Sequence, residues 1–294
     1  MRIIFKLFFT ITFITLLFSG NVFANKGLEI VTKVINQDEG WGTTSSKTTM
    51  ILQDKHGQST QRSIRNRTLE GENDGDKSLV IFDTPGDVRG TAFLSHTKKV
   101  GSDDQWLYLP ALKRVKRIAS SNKAGPFMGS EFSFEDIASQ EVEKYTYEYL
   151  RDEKYDGIDC FVVAYDPVDR KSGYSVQNVW IDKSRYIVLK TEYFDRKKSL
   201  LKTLSFEGYN QYLDKYWRAD KFIMVNHQTG KKTELKYENW DFNTGLTDKD
   251  FKKKAKKISE LTKDISEYLH ENVKLNFISS AKIEKKYKIA YHSA

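Results

Sequence analysis

The residues of this chain that could do chemistry are few, and their spacing suits little of it. Glu135, Asp136, Glu141 and Glu143, in the stretch EDIASQEVE, offer carboxylates that could act as the general acid and base of a hydrolase. The competing reading is a solvated helix face followed by a strand edge. His56, His96, His227, His270 and His292 have no metal-ligand spacing with one another, with cysteine or with a carboxylate. A Gly-x-Ser-x-Gly elbow, a phosphate loop and a dinucleotide fingerprint are all absent. Cys160 is the only cysteine, so thiol-pair redox chemistry and an internal disulfide are excluded. No catalytic residue, metal or cofactor is expected. An enzyme is the weaker class, with an acidic-residue envelope hydrolase as its form.

Binding chemistry is better represented. In QWLYLPALKRVKRI, residues 105–118, large apolar side chains run into a proline and four cations follow. Alternation places Trp106 and Tyr108 on one face of a strand, and Leu107 and Leu109 on the other. A strand apolar on both faces is covered on both sides. Pro110 ends it, having no N–H for the ladder. The next strand carries Lys113, Arg114, Lys116 and Arg117, a basic rim able to meet lipid head groups or an acidic partner; its alternative is a solvated hairpin. Residues 120–138 then hold Phe127, Met128, Phe132 and Phe134 among glycines, serines and a proline. Such side chains pack onto something rather than cover an ordinary surface loop. Ser133 is placed to cap a short helix whose first turn holds Glu135 and Asp136. Trp106, Tyr108, Leu109, Phe127, Met128, Phe132 and Phe134 are the candidate walls of an apolar cavity, and the same residues could form a dry core.

The elements that must position these residues are mostly strands. The chain has 294 residues, 39% apolar and 13% aromatic, enough for a substantial core. Arg2, Lys6, the apolar run over 3–18 and the pair Val22 and Ala24 read as a signal peptide over residues 1–24, cleaved near Ala24, which implies export to the periplasm. Of the net charge of +8, Arg2 and Lys6 supply two. The stretch from Lys252 onward holds eleven lysines against five acids, so the segment between is neutral. A basic tail on an exported protein suits an anionic membrane surface, through Lys252–Lys257, better than nucleic acid. Leu28, Val31 and Ile35 have helical spacing. From about residue 43 the period becomes two, with turns at Lys55–Gly57, Pro85–Gly86 and Gly101–Asp104, and ten or eleven antiparallel strands are expected. No linker divides them. A sheet this long curls or closes. The fold class is therefore mainly β, a curled antiparallel sheet or incomplete barrel with a few covering helices, over residues 25–257. Residues 258–294 read as a basic amphipathic extension. Its apolar stripe begins at Phe251, Ala255 and Ile258, and short β-like segments follow at Val273–Phe277 and Ile283–Tyr291.

FDTPGDVRGTAFL, DDQWLYLPALKRVKRIASSNKAGPFMGSEFSFEDIA and YFDRKKSLLKTLSFEGY resemble the outer membrane lipoprotein-sorting protein family, the LolA-like proteins of bacterial envelopes. The resemblance is close in the middle third and extends over about Lys26 to Phe251. It implies an incomplete antiparallel barrel of LolA/LolB type, its concave apolar face closed by helices. It also implies a periplasmic carrier or accessory protein that handles lipid or lipoprotein acyl chains, often paired with an inner-membrane transporter of the resistance-nodulation-division (RND) type. A partner of such a transporter with a filled core is the alternative. The arginine that latches the lid in such carriers has three candidates here, Arg62, Arg65 and Arg89.

Overall fold

The computed structural model describes residues 25–252. The expected signal peptide over 1–24, the extension over 258–294 and most of Lys252–Lys257 lie outside the described residues. Residues 25–37 form helix α1. Thirteen strands follow, β1 Thr43–Gln53, β2 Ser59–Leu69, β3 Lys77–Thr84, β4 Ala92–His96, β5 Asp104–Leu109 and β6 Arg114–Ile118, then β7 Tyr145–Tyr155, β8 Ile158–Pro167, β9 Tyr174–Asp182, β10 Val188–Asp195, β11 Leu200–Tyr212, β12 Tyr216–Asn226 and β13 Lys232–Phe242. The count exceeds the expected ten or eleven; strands of five residues, such as β4 and β6, contain too few alternations to stand out.

All thirteen belong to one antiparallel sheet, in the order β6-β5-β4-β3-β2-β1-β13-β12-β11-β10-β9-β8-β7. Each strand pairs with its sequence neighbour, except that β1 pairs with β13 in place of a β6–β7 contact. The sheet is therefore an open meander with β6 and β7 as its edges. Laid flat it would span roughly 55–60 Å at ~4.8 Å per strand. Instead Lys144, just before β7, holds Asp103, just before β5, at 2.5 Å. The sheet is thus curled until its two ends face each other across a gap.

The curl gives the sheet a concave face and a convex one, and alternation sorts the side chains between them. Met50, Ile64, Phe82, Phe93, Leu107, Tyr193, Leu204, Met224 and Leu235 belong to one cluster on the concave side. Register continues that face into β8 and β9, since Tyr193 pairs with Gln177 and Gln177 with Tyr165. There α1 lies on Tyr147, Val163, Tyr165, Val179 and Ile181. Gly27, Ile30 and Val31 are the buried residues of α1, while Leu28 is exposed, so the helix is turned relative to the expected stripe. Gly27 explains this: a Cβ there would lie 2.8 Å from the Tyr149 backbone nitrogen, so the helix can touch β7 only through this bare face. α1 is the single α-helix among the described residues. The rest of the expected helical cover is a loop over residues 119–144 containing three short 3-10 turns, Ser120–Asn122, Phe127–Gly129 and Val142–Lys144.

The convex face of β3–β5 is also covered. Leu79, Ile81, Ala92, Leu94, Trp106 and Tyr108 form a cluster with Phe251, which is 1% exposed. Phe251 thus closes a turn, Asp248–Phe251, instead of opening an amphipathic helix. A capping box of Thr247 and Asp250 holds this turn. Its outer bonds run from Lys77 to Asp248 at 2.5 Å and from His96 Nε2 to the Phe251 carbonyl at 2.8 Å. Phe251→Ala should cost about 3–5 kcal/mol, the range for a large buried aromatic, measured as a lowered denaturant midpoint with unchanged slope. A cost under about 1 kcal/mol would mean that the segment only rests on the convex face.

Candidate functional site

Covering an apolar concave face with a loop raises a polar problem, because the loop brings backbone groups that have no ladder. Residues 119–144 solve it with side chains from strands all round the sheet. Arg62 on β2 donates from Nη1 to the Met128 carbonyl at 2.5 Å. Thr233 Oγ1 on β13 accepts from the Glu131 N–H at 3.0 Å, and Asn226 on β12 donates to Glu131 Oε2 at 2.7 Å. Gln105 on β5 donates to the Phe134 carbonyl at 3.0 Å. Met128 and Gly129 take left-handed backbone conformations, φ 51° and 78°, which reverse the chain so that Phe127 and Phe132 both point inward. Phe127 then meets Phe82, Phe93 and Phe134 with ring centroids 6.0, 5.1 and 5.7 Å apart.

At the centre lies an ion pair with almost no solvent contact. Lys202 Nζ on β11 is 2.6 Å from Asp136 Oδ2, and the two side chains are 4% and 3% exposed. Lys202 also donates to the Glu131 carbonyl at 2.9 Å and sits over the rings of Tyr174 and Tyr193 at 5.1 and 5.2 Å. Asp136 Oδ1 accepts from Tyr174 Oη at 2.8 Å, and Oδ2 also accepts from the Ser133 N–H at 2.6 Å. The neighbouring Glu135 accepts from the Gly173 N–H at 2.8 Å and Ser172 Oγ at 2.9 Å, with Lys123 Nζ at 3.7 Å. Gly173 has to be glycine, since a Cβ would come within 2.8 Å of Ala124 Cβ. Burial raises the Glu135 carboxyl above its usual range, more than its hydrogen bonds lower it. The phenols of Tyr174 and Tyr193 are pushed well up by burial first and by Asp136 next among the charges.

Among the described residues, two spaces on the concave side flank the loop. The larger, about 610 Å³, lies toward the gap between the sheet edges and is walled by Ile118, Phe132, Tyr193, Leu204, Phe206 and Phe222 among others. The smaller, about 230 Å³, lies against β1–β3 and β13 and includes Ile64, Phe127, Leu235 and Trp240. Phe132 and Asp136 line both. The loop therefore fills the middle of the curl and leaves its flanks hollow.

The residues expected to form one cavity are divided by this arrangement. Phe127, Phe132, Phe134, Met128 and Leu109 gather on the concave side. Trp106 and Tyr108 do not: they point to the convex face and pack under Phe251. The alternation was read correctly, but the convex cover that claims these two rings was not anticipated. Glu135 and Asp136 lie in neither a solvated helix face nor a helix; the segment is a turn, and both carboxylates are buried, every oxygen engaged. Ser133 gives its hydroxyl to the contact with Tyr174 Oη at 3.1 Å instead of capping a helix. Of the three candidate latch arginines, Arg62 alone bonds the covering loop; Arg65 pairs with Asp83 at 2.7 Å and Arg89 donates to the Asp83 carbonyl. Lys113, Arg114, Lys116 and Arg117 are exposed on the edge strand β6 and the turn before it, with Arg117 paired to Asp104. Charge on an edge strand also blocks edge-to-edge pairing with other chains. Lys202 was missed. Its signal is an inward lysine in LLKTLSFEG, in phase with Leu200, Leu204 and Phe206.

Comparison with known proteins gives a consistent set of likenesses. A family model described as "-like: Uncharacterized protein" matches residues 74–255. The crystal structure of an outer membrane lipoprotein-sorting protein domain from Vibrio parahaemolyticus is 56% identical, with a TM-score of 0.78, over 80% of this chain and 99% of that one. A DUF1329 family protein from Desulfovibrio piger is 29% identical, with a TM-score of 0.74, over 79% and 98%. A LolA superfamily protein from Nitrosomonas europaea shares the fold at 21% identity and a TM-score of 0.61, over 76% and 97%. The curated proteins gave no match.

Removing one partner of the central ion pair leaves a buried charge alone, so Lys202→Met should destabilise by about 3–5 kcal/mol. Adding Asp136→Leu should recover most of that loss, since an apolar pair of similar volume is often neutral or better. Equal, additive losses in a double-mutant cycle would show that the two residues act separately. Glu141 supplies a pH test. Burial, and next the charge of Asp76, push its carboxyl up to about 7. The folded state thus holds this proton more tightly than the unfolded chain, and stability falls as pH rises from the usual carboxylate range through about 7. The melting temperature should decline across that window, and Glu141→Gln should flatten the decline.

Proposed function

The chain belongs to the outer membrane lipoprotein-sorting protein family, and on that premise we propose that it is a periplasmic carrier or accessory protein that takes up lipid or lipoprotein acyl chains without catalysing a reaction on them. The observation that carries the reading is the hollow of about 610 Å³ on the concave face, mostly apolar in its depth and open toward the gap between β6 and β7. Its volume lies within the ~300–1,000 Å³ of small-molecule sites. Each methylene moved from water into such a space is worth about 0.8 kcal/mol, so a long acyl chain needs an enclosed site of this kind to leave a bilayer. The polar groups near the hollow support binding over turnover, because Glu135 and Asp136 are committed to holding the loop.

The filled middle of the curl, where Phe127 meets three other phenylalanine rings, favours a second use beside the first: a rigid surface for a partner. An inner-membrane RND-type transporter is the partner the resemblance suggests, and the exposed cations of β6 are the surface such a partner or a membrane would meet.

Protein isolated from its own envelope should carry lipid in native mass spectrometry. Thr191, on β10, lines the hollow. Thr191→Phe should abolish the lipid while leaving stability unchanged or raised by about 0.5–2 kcal/mol, as cavity filling does. A loss of about 1–3 kcal/mol with no effect on lipid would mark overpacking of a filled core and defeat the carrier reading.

A further inference from the structure

We propose that the hollow selects acyl ligands whose head bears no net negative charge, neutral or cationic, and rejects anionic heads; this rests on the carrier reading and specifies its ligand. Five carboxylates line the space, Asp103, Glu135, Asp136, Glu143 and Asp169, against two lysines, Lys123 and Lys144. Neither lysine is available to an anion. Lys123 Nζ is shared between Asp169 at 2.8 Å and Glu135 at 3.7 Å, and Lys144 Nζ is held by Asp103 at 2.5 Å. Lys202, the next cation inward, is consumed by Asp136 and the Glu131 carbonyl. Glu143 is exposed on the turn Val142–Lys144 at the mouth and has no ion-pair partner among the described residues.

An entering head group therefore meets five lining carboxylates against two lining lysines, both already paired; Lys171, outside the lining, donates to Ser120 Oγ at 3.2 Å. The uncharged polar groups of the lining have partners of their own, Ser120 Oγ accepting from Lys171 and Gln177 Nε2 donating to Tyr145 Oη at 3.4 Å, but with Ser139 and Gln140 they keep further donor and acceptor capacity suited to ester, amide or hydroxyl oxygens. The phenol of Tyr145, on the wall, is pushed up to about 12 by burial first, with the charges of Glu135 and Asp136 acting in the same direction. The basic residues of β6 do not alter this balance, because Ile118 is the one residue of β6 in the lining, which includes none of Lys113, Arg114, Lys116 and Arg117.

The test uses the full mature chain and the neutral fluorophore N-phenyl-1-naphthylamine, displaced by monolauroylglycerol, dodecylamine or dodecanoate at low ionic strength near pH 7. The neutral and cationic competitors should act at concentrations at least about tenfold below dodecanoate, roughly 1.4 kcal/mol in affinity. Raising the salt should narrow the gap, since the mouth is open to solvent and its charges are screened. Glu143→Lys, at an exposed position, should narrow it as well. Dodecanoate that competes as well as monolauroylglycerol would overturn the selectivity and leave the carrier reading standing. A gap that ignores both salt and Glu143→Lys would overturn its electrostatic cause. Failure of the fluorophore to bind, or of every competitor to displace it, would overturn both.

Discussion

The structure depends on one constraint: an open, curled sheet has an apolar concave face that no further strand covers. Thirteen strands curl far enough to face their own edges but do not close, so the chain must supply a cover that is not sheet. A loop can do this only if its backbone is satisfied from below, and that requirement puts polar residues where alternation would otherwise call for apolar ones. Lys202, Asn226, Thr233, Gln105 and Arg62 are inward side chains of five different strands, and each bonds the same covering loop. The Lys202–Asp136 pair is the most demanding of these contacts, because both charges have lost nearly all their water. Such a pair adds little net stability over an apolar pair. What it imposes is position, since the loop has one place in which both charges are matched.

The same strands answer to a second demand from behind. β3, β4 and β5 are apolar on both faces because the concave side packs on Phe127 and Phe132 while the convex side packs on Phe251. The convex cover thus fixes the strands that support the loop, and the register of β5 ties the two covers together: Leu107 faces one and Trp106 the other. Beyond β5 this double burial ends. β6 has Ile118 turned toward the concave cluster and Val115 toward the convex one, with exposed cations between. The change from apolar to basic in residues 105–118 is therefore the change from a central strand to an edge strand.

Much of this fold was legible. Period two from Thr43 onward, with Asp, Asn and Gly turns, is the direct signature of a meander, and a sheet of that length has to curl. The position of α1 was also legible, though not its rotation, which depends on the close approach of Gly27 to β7. The candidate site was legible by composition and misread by geometry. Phenylalanines in loop-like sequence announced a segment that packs inward, and it does. Alternation separated Trp106 from Leu107, yet it could not say which face of the sheet would be hollow, because that depends on where Phe251 returns. Glu135 and Asp136 looked like solvated acids because their partners, Ser172, Gly173, Tyr174 and Lys202, lie 37 to 66 residues away. Long-range pairing of charge leaves no local pattern, apart from an inward lysine in an otherwise apolar alternation.

The contacts that hold the loop differ in strength, and the difference bears on how the hollow is used. At the centre, Lys202–Asp136 is dry and costly to break. At the ends, Lys144–Asp103 and Lys123–Asp169 bridge the gap between the two halves of the curl with side chains that solvent still reaches. Solvent-accessible pairs are worth less and are screened by salt. Val100 and Val168 stand beside these bridges, 78% and 59% exposed, and both border the hollow. The gap that the bridges span is the side toward which the hollow opens. The middle of the loop, held by the dry inner pair, shapes the wall of the hollow, while its ends are held only by pairs that solvent reaches.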